Sequence, residues 1–233
     1  MISIGSALHT VCASLSGASD VDYWSGRIKA DTGLDMVAKP GTPDSTLIFR
    51  QMFQILRYFT KDLIRDCGIN KVIIRTDMGP NRTYYPNHGY YCDNFVALNA
   101  DIFYHPDQPD DFFDHRGYFI TRPEQTILHE FGHGYDDNNG SLSHRDAWTS
   151  LSGWSKSFKP GLERLVIDEP GAPRVVGEWY FDPKIGGFTR FYAKRNPWDD
   201  FADSFSFYLA GMKNKLPENK ARYFDGLLSK YFK

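Results

Sequence analysis

The feature that most constrains the fold of this chain is a pair of histidines that lie four residues apart behind a strong helix start. Thr121 and Glu124 form a capping-box pattern, and Pro123 stands where a missing backbone N–H costs little. A helix is therefore predicted from about residue 122 to 137. Because four residues make about one helical turn, this helix must carry His129 and His133 side by side on one face.

The two histidines enclose a glutamate, so that residues 129–133 (HEFGH) have the HExxH spacing. Two imidazoles one turn apart can bind a single zinc ion, and we expect one Zn²⁺ per chain. Glu130 lies beside them, where its carboxylate can take a proton from a zinc-activated water and act as a general base. The motif therefore predicts a zinc-dependent endopeptidase that hydrolyses a peptide bond.

Such a zinc site needs a third protein ligand. The metzincin continuation of the motif requires Gly at position 136 and His at position 139, where this chain has Asp136 and Asn139, and it is rejected. Another arrangement uses a carboxylate on a later helix, commonly in the form Glu-x-x-x-Asp/Glu, whose second acid orients a ligand histidine. Residues 199–203 (DDFAD) have this form with Asp in place of Glu, so Asp199 is the candidate. Two alternative third ligands remain, Asp200 and Glu178.

These two segments also resemble a known family. Residues 129–137 (HEFGHGYDD) and the later acidic, aromatic stretch 199–205 (DDFADSF) are similar to the catalytic domain of anthrax lethal factor and the related secreted Pro-Pro endopeptidases, which are gluzincin metallopeptidases. The resemblance implies that the ligands are His129, His133 and Asp199. The family has Glu at the third ligand. An Asp is one methylene shorter, so its helix must approach the metal about 1.5 Å more closely.

The resemblance extends to two further roles. In the family a tyrosine stands seven positions before the third ligand, as Tyr192 stands before Asp199. This implies that Tyr192 donates a hydrogen bond to the oxyanion and that Asp203 orients a ligand histidine. It also implies a secreted or delivered effector such as a toxin, although no signal peptide is visible in residues 1–18 and the localisation stays unknown.

The order of the predicted elements indicates the α+β class. We expect a single domain, residues 1–233, with a zincin-like fold in which a small mixed sheet packs on the active-site helix and the C-terminal part is mainly helical. Residues 1–44 would form an N-terminal extension, 45–137 the first helix, the sheet and the active-site helix, and 138–233 the part with the third ligand. The predicted elements are a helix from Ser45 to Gly68, strands at 71–75, 94–104 and 117–121, a hairpin of 177–181 with 188–192, and helices at 197–211 and from Pro217 onward.

Composition excludes several partners. The net charge is -2 with a pI of about 6.4, and Lys and Arg form no run longer than two, which argues against nucleic acid and anionic membrane surfaces. No apolar stretch is long enough to span a bilayer. Three cysteines without CxxC spacing indicate neither a disulfide framework nor a cysteine zinc site.

The predicted partner is a protein or peptide substrate bound in extended conformation. By its position before the active-site helix, strand 94–104 or strand 117–121 would pair with such a substrate. Three other interpretations remain open. The chain could be a zincin-fold binding or structural module without turnover, or a zinc amidase that acts on a non-protein amide. It could also be a metal-free interaction protein in which the HExxH spacing is accidental.

Overall fold

The structure is a computed structural model that describes residues 19–77, 88–106, 120–169, 172–175 and 179–232. It is a mixed α+β protein, which confirms the predicted class. The helices are α1 (Asp20–Thr32), α2 (Ser45–Ile55), α3 (Lys61–Asp66), α4 (Asp101–Tyr104), α5 (Arg122–Asn138), α6 (Asp146–Leu151), α7 (Pro197–Leu209) and α8 (Glu218–Leu228). The strands are β1 (Asp35–Ala38), β2 (Lys71–Arg75), β3 (Gly89–Cys92), β4 (Phe95–Asn99), β5 (Trp154–Ser155), β6 (Val166–Glu169), β7 (Ala172–Val175) and β8 (Tyr180–Phe181). Within the described ranges, no helix is both long and apolar enough to cross a membrane.

The main sheet has the strand order β1-β2-β4-β3. Strands β1, β2 and β4 run parallel, and β3 pairs antiparallel with β4 through a short turn in which Asp93 has a φ of 50°. The strand predicted at 71–75 is confirmed as β2, whereas the run predicted at 94–104 ends as a strand at Asn99 and continues as α4. Of the strand predicted at 117–121, residues 117–119 lie outside the described residues, and Thr121 is the N-cap of α5.

The helix predicted from Ser45 to Gly68 is divided into two. Helix α2 ends at Ile55, a short 3₁₀ turn follows, and Phe59 is extended with φ -111° and ψ 141°. The Thr60 side chain then accepts a hydrogen bond from the Leu63 amide and starts α3. A side chain that caps a new helix thus outweighs an apolar spacing that continues across the break.

Residues 20–38 are an integral part of the sheet layer and not a peripheral extension. Strand β1 pairs with β2 from Asp35 to Ala38, and Ile28 of α1 is buried in the same hydrophobic cluster as Ile48 of α2. Helix α1 begins with its own capping box, formed by Ser19 and Asp22.

Helix α5 crosses the centre of the molecule, where it packs on α7 and on the sheet. The backbones of α5 and α7 approach closely where Gly132 faces Ala202. A Cβ atom added to Gly132 would lie only 2.9 Å from the Ala202 Cα, so this approach requires a residue without a side chain. Aromatic rings extend the contact: Phe131 meets Phe59 at a centroid distance of 4.8 Å, and Tyr135 stacks on Phe205 at 5.4 Å. The close helix pair brings residues of α5 and α7 within contact distance.

The predicted hairpin of 177–181 with 188–192 is wrong. Strand β8 pairs antiparallel with β5, and residues 192–194 form a 3₁₀ turn, while residues 176–178 lie outside the described part of the chain. The physical reason is aromatic packing, because the Phe188 ring lies 5.3 Å from Trp154 and 5.0 Å from Phe181. The predicted helix at 197–211 is present as α7, and the one from Pro217 is present as α8.

Candidate metal centre

Helix α5 presents its two histidines to the inside of the protein. Its N-terminus has the predicted capping box, in which Thr121 and Glu124 bond reciprocally. His129 and His133 are buried, and their rings lie 4.5 Å apart at an angle of 85°. The Nε2 atoms of both rings point toward the start of α7.

Helix α7 brings a carboxylate to the two imidazoles. Asn196 caps this helix by accepting a hydrogen bond from the Asp199 amide at 2.8 Å, which fixes Asp199 in the first turn. The Oδ1 of Asp199 lies 3.8 Å from the Nε2 of His129 and 3.5 Å from the Nε2 of His133. All three side chains are buried, and one ligand atom from each lies within 4.8 Å of the others.

This cluster fits a metal ion in ligand type and in spacing. In a tetrahedral zinc site with bonds of about 2.0 to 2.1 Å, the ligand atoms lie about 3.3 Å from one another. The separations of 3.5 and 3.8 Å are close to that value. Two imidazole nitrogens and one carboxylate oxygen are also a common donor set of a catalytic zinc. The cluster His129–His133–Asp199 could therefore hold a metal ion.

The other oxygen of Asp199 has its own partners. Oδ2 accepts a hydrogen bond from the Asn196 side-chain amide at 2.8 Å and lies 3.6 Å from a guanidinium nitrogen of Arg195. Burial by itself would raise the pKa of Asp199, but the hydrogen bond to His133 and the neighbouring positive charges hold it below its usual range. The carboxylate thus stays ionised, with Oδ1 directed at the histidines.

Asp203 lies on the far side of His129. Its Oδ1 is 2.7 Å from the Nδ1 of His129, and both of its oxygens accept hydrogen bonds from the buried guanidinium of Arg190. Burial would raise the pKa of Asp203, but the charge of Arg190 and the contact with His129 hold it well below its usual range. An ionised Asp203 is an acceptor, so the Nδ1 of His129 carries the proton and Nε2 has a free lone pair.

His133 is held in a different way. Its Nδ1 has no hydrogen-bond partner among the residues that the structure describes. Instead the ring stacks on Trp198, with centroids 3.6 Å apart and an angle of 30° between the planes. The indole therefore fixes the orientation of this imidazole by packing.

Glu130 lies beside the cluster, and its side chain is not one of the three ligand groups. It is buried, and burial raises its pKa to about 7, with the charge of His129 opposing the rise. The backbone of Tyr91 in strand β3 also lowers the pKa of this carboxyl group and so opposes the rise. A carboxyl group with a pKa close to neutrality can both accept and release a proton.

Tyr192 also lies at the cluster. Its ring meets that of His129 edge to face at 5.6 Å, and its hydroxyl accepts a hydrogen bond from Arg195. Burial raises the pKa of Tyr192, and the negative charge of Asp199 adds to the rise, so the hydroxyl keeps its proton. A protonated phenol can donate a hydrogen bond to a carbonyl oxygen.

The two alternative third ligands have different positions. Asp200 points to the opposite side of α7, where it accepts hydrogen bonds from the Lys220 ammonium at 2.6 Å and from the Trp154 indole at 3.0 Å. Both of its oxygens are therefore occupied away from the histidines. Glu178 lies outside the described residues.

Sequence reasoning missed three residues of this site: Arg190, Arg195 and Trp198. Arg190 stands in an aromatic stretch, residues 188–192 (FTRFY), and a single basic residue there is a weak signal. Its partner lies 13 positions later, so that only the tertiary fold brings the two together. Trp198 adjoins the candidate ligand Asp199, but its stacking on His133 depends on how α7 meets α5.

Comparisons of the chain with protein-family models, with curated proteins and with solved structures gave no match. The geometry of the site is therefore the basis for the function proposed below.

Proposed function

We propose that this protein is a zinc-dependent endopeptidase of the gluzincin type, with a zincin-like fold. One observation carries the proposal: two imidazole Nε2 atoms and one carboxylate oxygen converge within 4.8 Å, next to a separate buried carboxyl group, Glu130. This combination provides a metal position and a proton acceptor side by side, which amide hydrolysis requires.

Each group of the site has a role in that reaction. Zinc, when bound, supplies a Lewis acid and lowers the pKa of water. Glu130 takes the proton from the attacking water and later passes it to the leaving amine, and its buried carboxyl group lies beside the metal position where both transfers take place. Tyr192 donates a hydrogen bond to the carbonyl oxygen of the substrate. Asp203 keeps His129 in the tautomer that can bind metal.

An extended peptide is the favoured substrate, and β3 is the strand that supports this choice. Strand β4, within the run expected to pair with substrate, is bonded to β2 on one side and to β3 on the other, so it has no free edge. Strand β3 is an edge of the sheet among the described residues, and its Tyr91 amide reaches Glu130. A peptide that adds to β3 would place a backbone amide next to the proton acceptor.

Zinc content tests the proposal. We expect about one zinc per chain by elemental analysis of the purified protein, and loss or strong weakening of zinc binding in Asp199→Ala. Glu178→Ala is the matched control, because it removes the alternative third ligand and should retain the metal. Bound zinc should also raise the melting temperature, since a ligand that binds the folded state stabilises it by mass action.

Peptide cleavage is the second part of the test. A protein that binds zinc and cleaves members of a peptide library would support an endopeptidase. Zinc binding without cleavage of any peptide would favour the non-catalytic module or an amidase for other substrates. Absence of zinc in the wild-type protein, even after incubation with excess metal, would overturn the proposal.

A further inference from the structure

A buried arginine, Arg190, lies behind the candidate metal centre and contacts Asp203 of α7. Arg190 is 7 % exposed, and its Nε donates to Asp203 Oδ2 at 3.0 Å while its Nη2 donates to Asp203 Oδ1. It lies in the irregular segment between β8 and α7, outside any helix or strand. The guanidinium reaches α7 from outside the helix.

The pairing is better suited to orientation than to stability. Removing two charges from water costs roughly what their attraction returns, so a buried ion pair is weak evidence for stabilisation. The fork of an arginine, by contrast, fixes both oxygens of a carboxylate in one plane. Asp203 therefore has a single orientation, and in that orientation Oδ1 lies 2.7 Å from the Nδ1 of His129.

We propose that Arg190 is a positioning residue of the metal centre, whose guanidinium fixes Asp203 so that His129 presents Nε2 to the metal. The inference rests on the proposed function and extends it to a residue that touches neither metal nor substrate. The contrast with His133 supports it, since that ring is held by stacking on Trp198 and its Nδ1 has no hydrogen-bond partner among the described residues. The orientation of His129 depends instead on hydrogen bonds that run from His129 through Asp203 to Arg190.

The chain contains a matched control for the experiment. Lys220 is also a fully buried cation that pairs with an aspartate of α7, since its Nζ donates to Asp200 at 2.6 Å. Asp200 points away from both histidines, toward Trp154. Arg190→Met and Lys220→Met therefore each remove one buried cation that pairs with an aspartate of α7, but only the first removes a group that contacts a partner of His129.

The experiment measures the zinc dissociation constant of the metal-free chain by competition with a chromophoric chelator. We expect Arg190→Met to bind zinc about 10- to 100-fold more weakly than wild type, the usual effect of removing a group that orients a ligand. Lys220→Met should stay within about 3-fold of wild type, whatever stability it loses. Arg190→Lys keeps the positive charge but lacks the paired N–H donors of the guanidinium, so it should lose less zinc affinity than Arg190→Met. It replaces Arg190→Met in the comparison with Lys220→Met if the Met variant does not fold.

A double-mutant cycle separates positioning from general packing. If Arg190 acts through Asp203, the double variant Arg190→Met/Asp203→Leu should bind zinc no more weakly than Asp203→Leu alone. Cobalt in place of zinc gives a second readout, since its visible spectrum reports ligand geometry, and it should change in Arg190→Met but not in Lys220→Met. Equal zinc affinity and equal cobalt spectra in wild type and Arg190→Met would overturn this inference and leave the endopeptidase proposal standing. Failure of the wild type to bind zinc would overturn both.

Discussion

Glu130 and Asp203 are both buried carboxyl groups near His129, yet their surroundings shift their pKa values in opposite directions. The pKa of Glu130 rises to about 7 because burial acts on a group whose other close charges include Asp199 and Asp203. Burial would also raise the pKa of Asp203, but the Arg190 guanidinium and the contact with His129 together hold it well below its usual range. One group can therefore exchange a proton near neutral pH, while the other remains a fixed acceptor.

This difference leads to a prediction for Glu130. Glutamine has the same shape as glutamate but cannot accept a proton, so Glu130→Gln should lower the rate of peptide cleavage by about 10²- to 10⁴-fold. Zinc content should not change, because Glu130 is not one of the three clustered ligand groups. Cleavage assays and elemental analysis on the same preparation measure both effects.

Glu124→Gln is the control for this substitution. Glu124 lies on the same helix and forms the capping box with Thr121, a position where Gln also serves. The control should cleave at the wild-type rate. Undiminished cleavage by Glu130→Gln would remove Glu130 from the reaction and contradict the proposed role.

At the scale of elements, the sequence predicts the two helices of the candidate site, because local residues mark their starts. The capping box of Thr121 and Glu124 marks the start of α5, and Asn196 with Pro197 marks that of α7. The spacing within each helix then determines which side chains share a face. For this reason His129, His133 and Asp199 could be chosen as candidates before their distances were known.

Other elements depend on contacts that a local pattern does not contain. The apolar spacing of α2 continues in phase through Phe59 to Leu63, so the periodicity conceals the helix start that Thr60 makes. Strand β3 is defined by its pairing with β4 and by its contact with α5. The pairing of Arg190 with Asp203 likewise requires the packed molecule, because neither residue's local sequence selects its partner.

Asn196 links the start of α7 to the metal centre, and this link can be tested. Its Oδ1 accepts from the Asp199 amide, and its Nδ2 donates to Asp199 Oδ2, each at 2.8 Å. Asn196→Ser should keep the cap, with stability close to wild type, but lose the amide that orients Asp199. We therefore expect about 10-fold weaker zinc binding with little change in unfolding.

Asn196→Ala is the comparison for that variant. It loses the cap as well, so it should be about 1 kcal/mol less stable and also bind zinc more weakly. Urea unfolding of the metal-free proteins and chelator competition measure the two effects separately. Wild-type zinc affinity in Asn196→Ser would show that the cap alone matters and that the amide does not orient Asp199.

At the scale of the whole molecule, Asp66 joins three distant parts of the chain. Its backbone carbonyl, at the end of α3, accepts hydrogen bonds at 3.0 Å from the side chains of Asn138 and Asn139 at the end of α5. Its carboxylate accepts from the Tyr231 hydroxyl at 2.5 Å and from the Lys230 ammonium at 3.3 Å. The C-terminal segment is thus attached to the helix that carries the two histidines.

Stability should depend on pH through this contact. The hydrogen bond from Tyr231 lowers the pKa of Asp66 against a smaller effect of burial. A carboxyl group whose pKa is lower in the folded state stabilises the protein above its unfolded pKa of about 3.9, and that contribution is lost as pH falls through the folded value. Asp66→Asn should therefore be about 1 kcal/mol less stable than wild type at pH 7, the usual net value of such a hydrogen bond, and the difference should shrink below about pH 4.

Urea unfolding at pH 7, 5 and 3 measures this difference, and the same helix supplies the control. Asp62 of α3 forms an exposed ion pair with Arg65 at 2.8 Å, and exposed pairs contribute little, so Asp62→Asn should match wild type at every pH. Tyr231→Phe removes the donor without changing the charge, and it should reproduce the loss at pH 7 and the smaller difference in acid. A difference between Asp66→Asn and wild type that stays constant from pH 7 to pH 3 would mean that the carboxylate does not hold the C-terminal segment, and that the two asparagine contacts suffice.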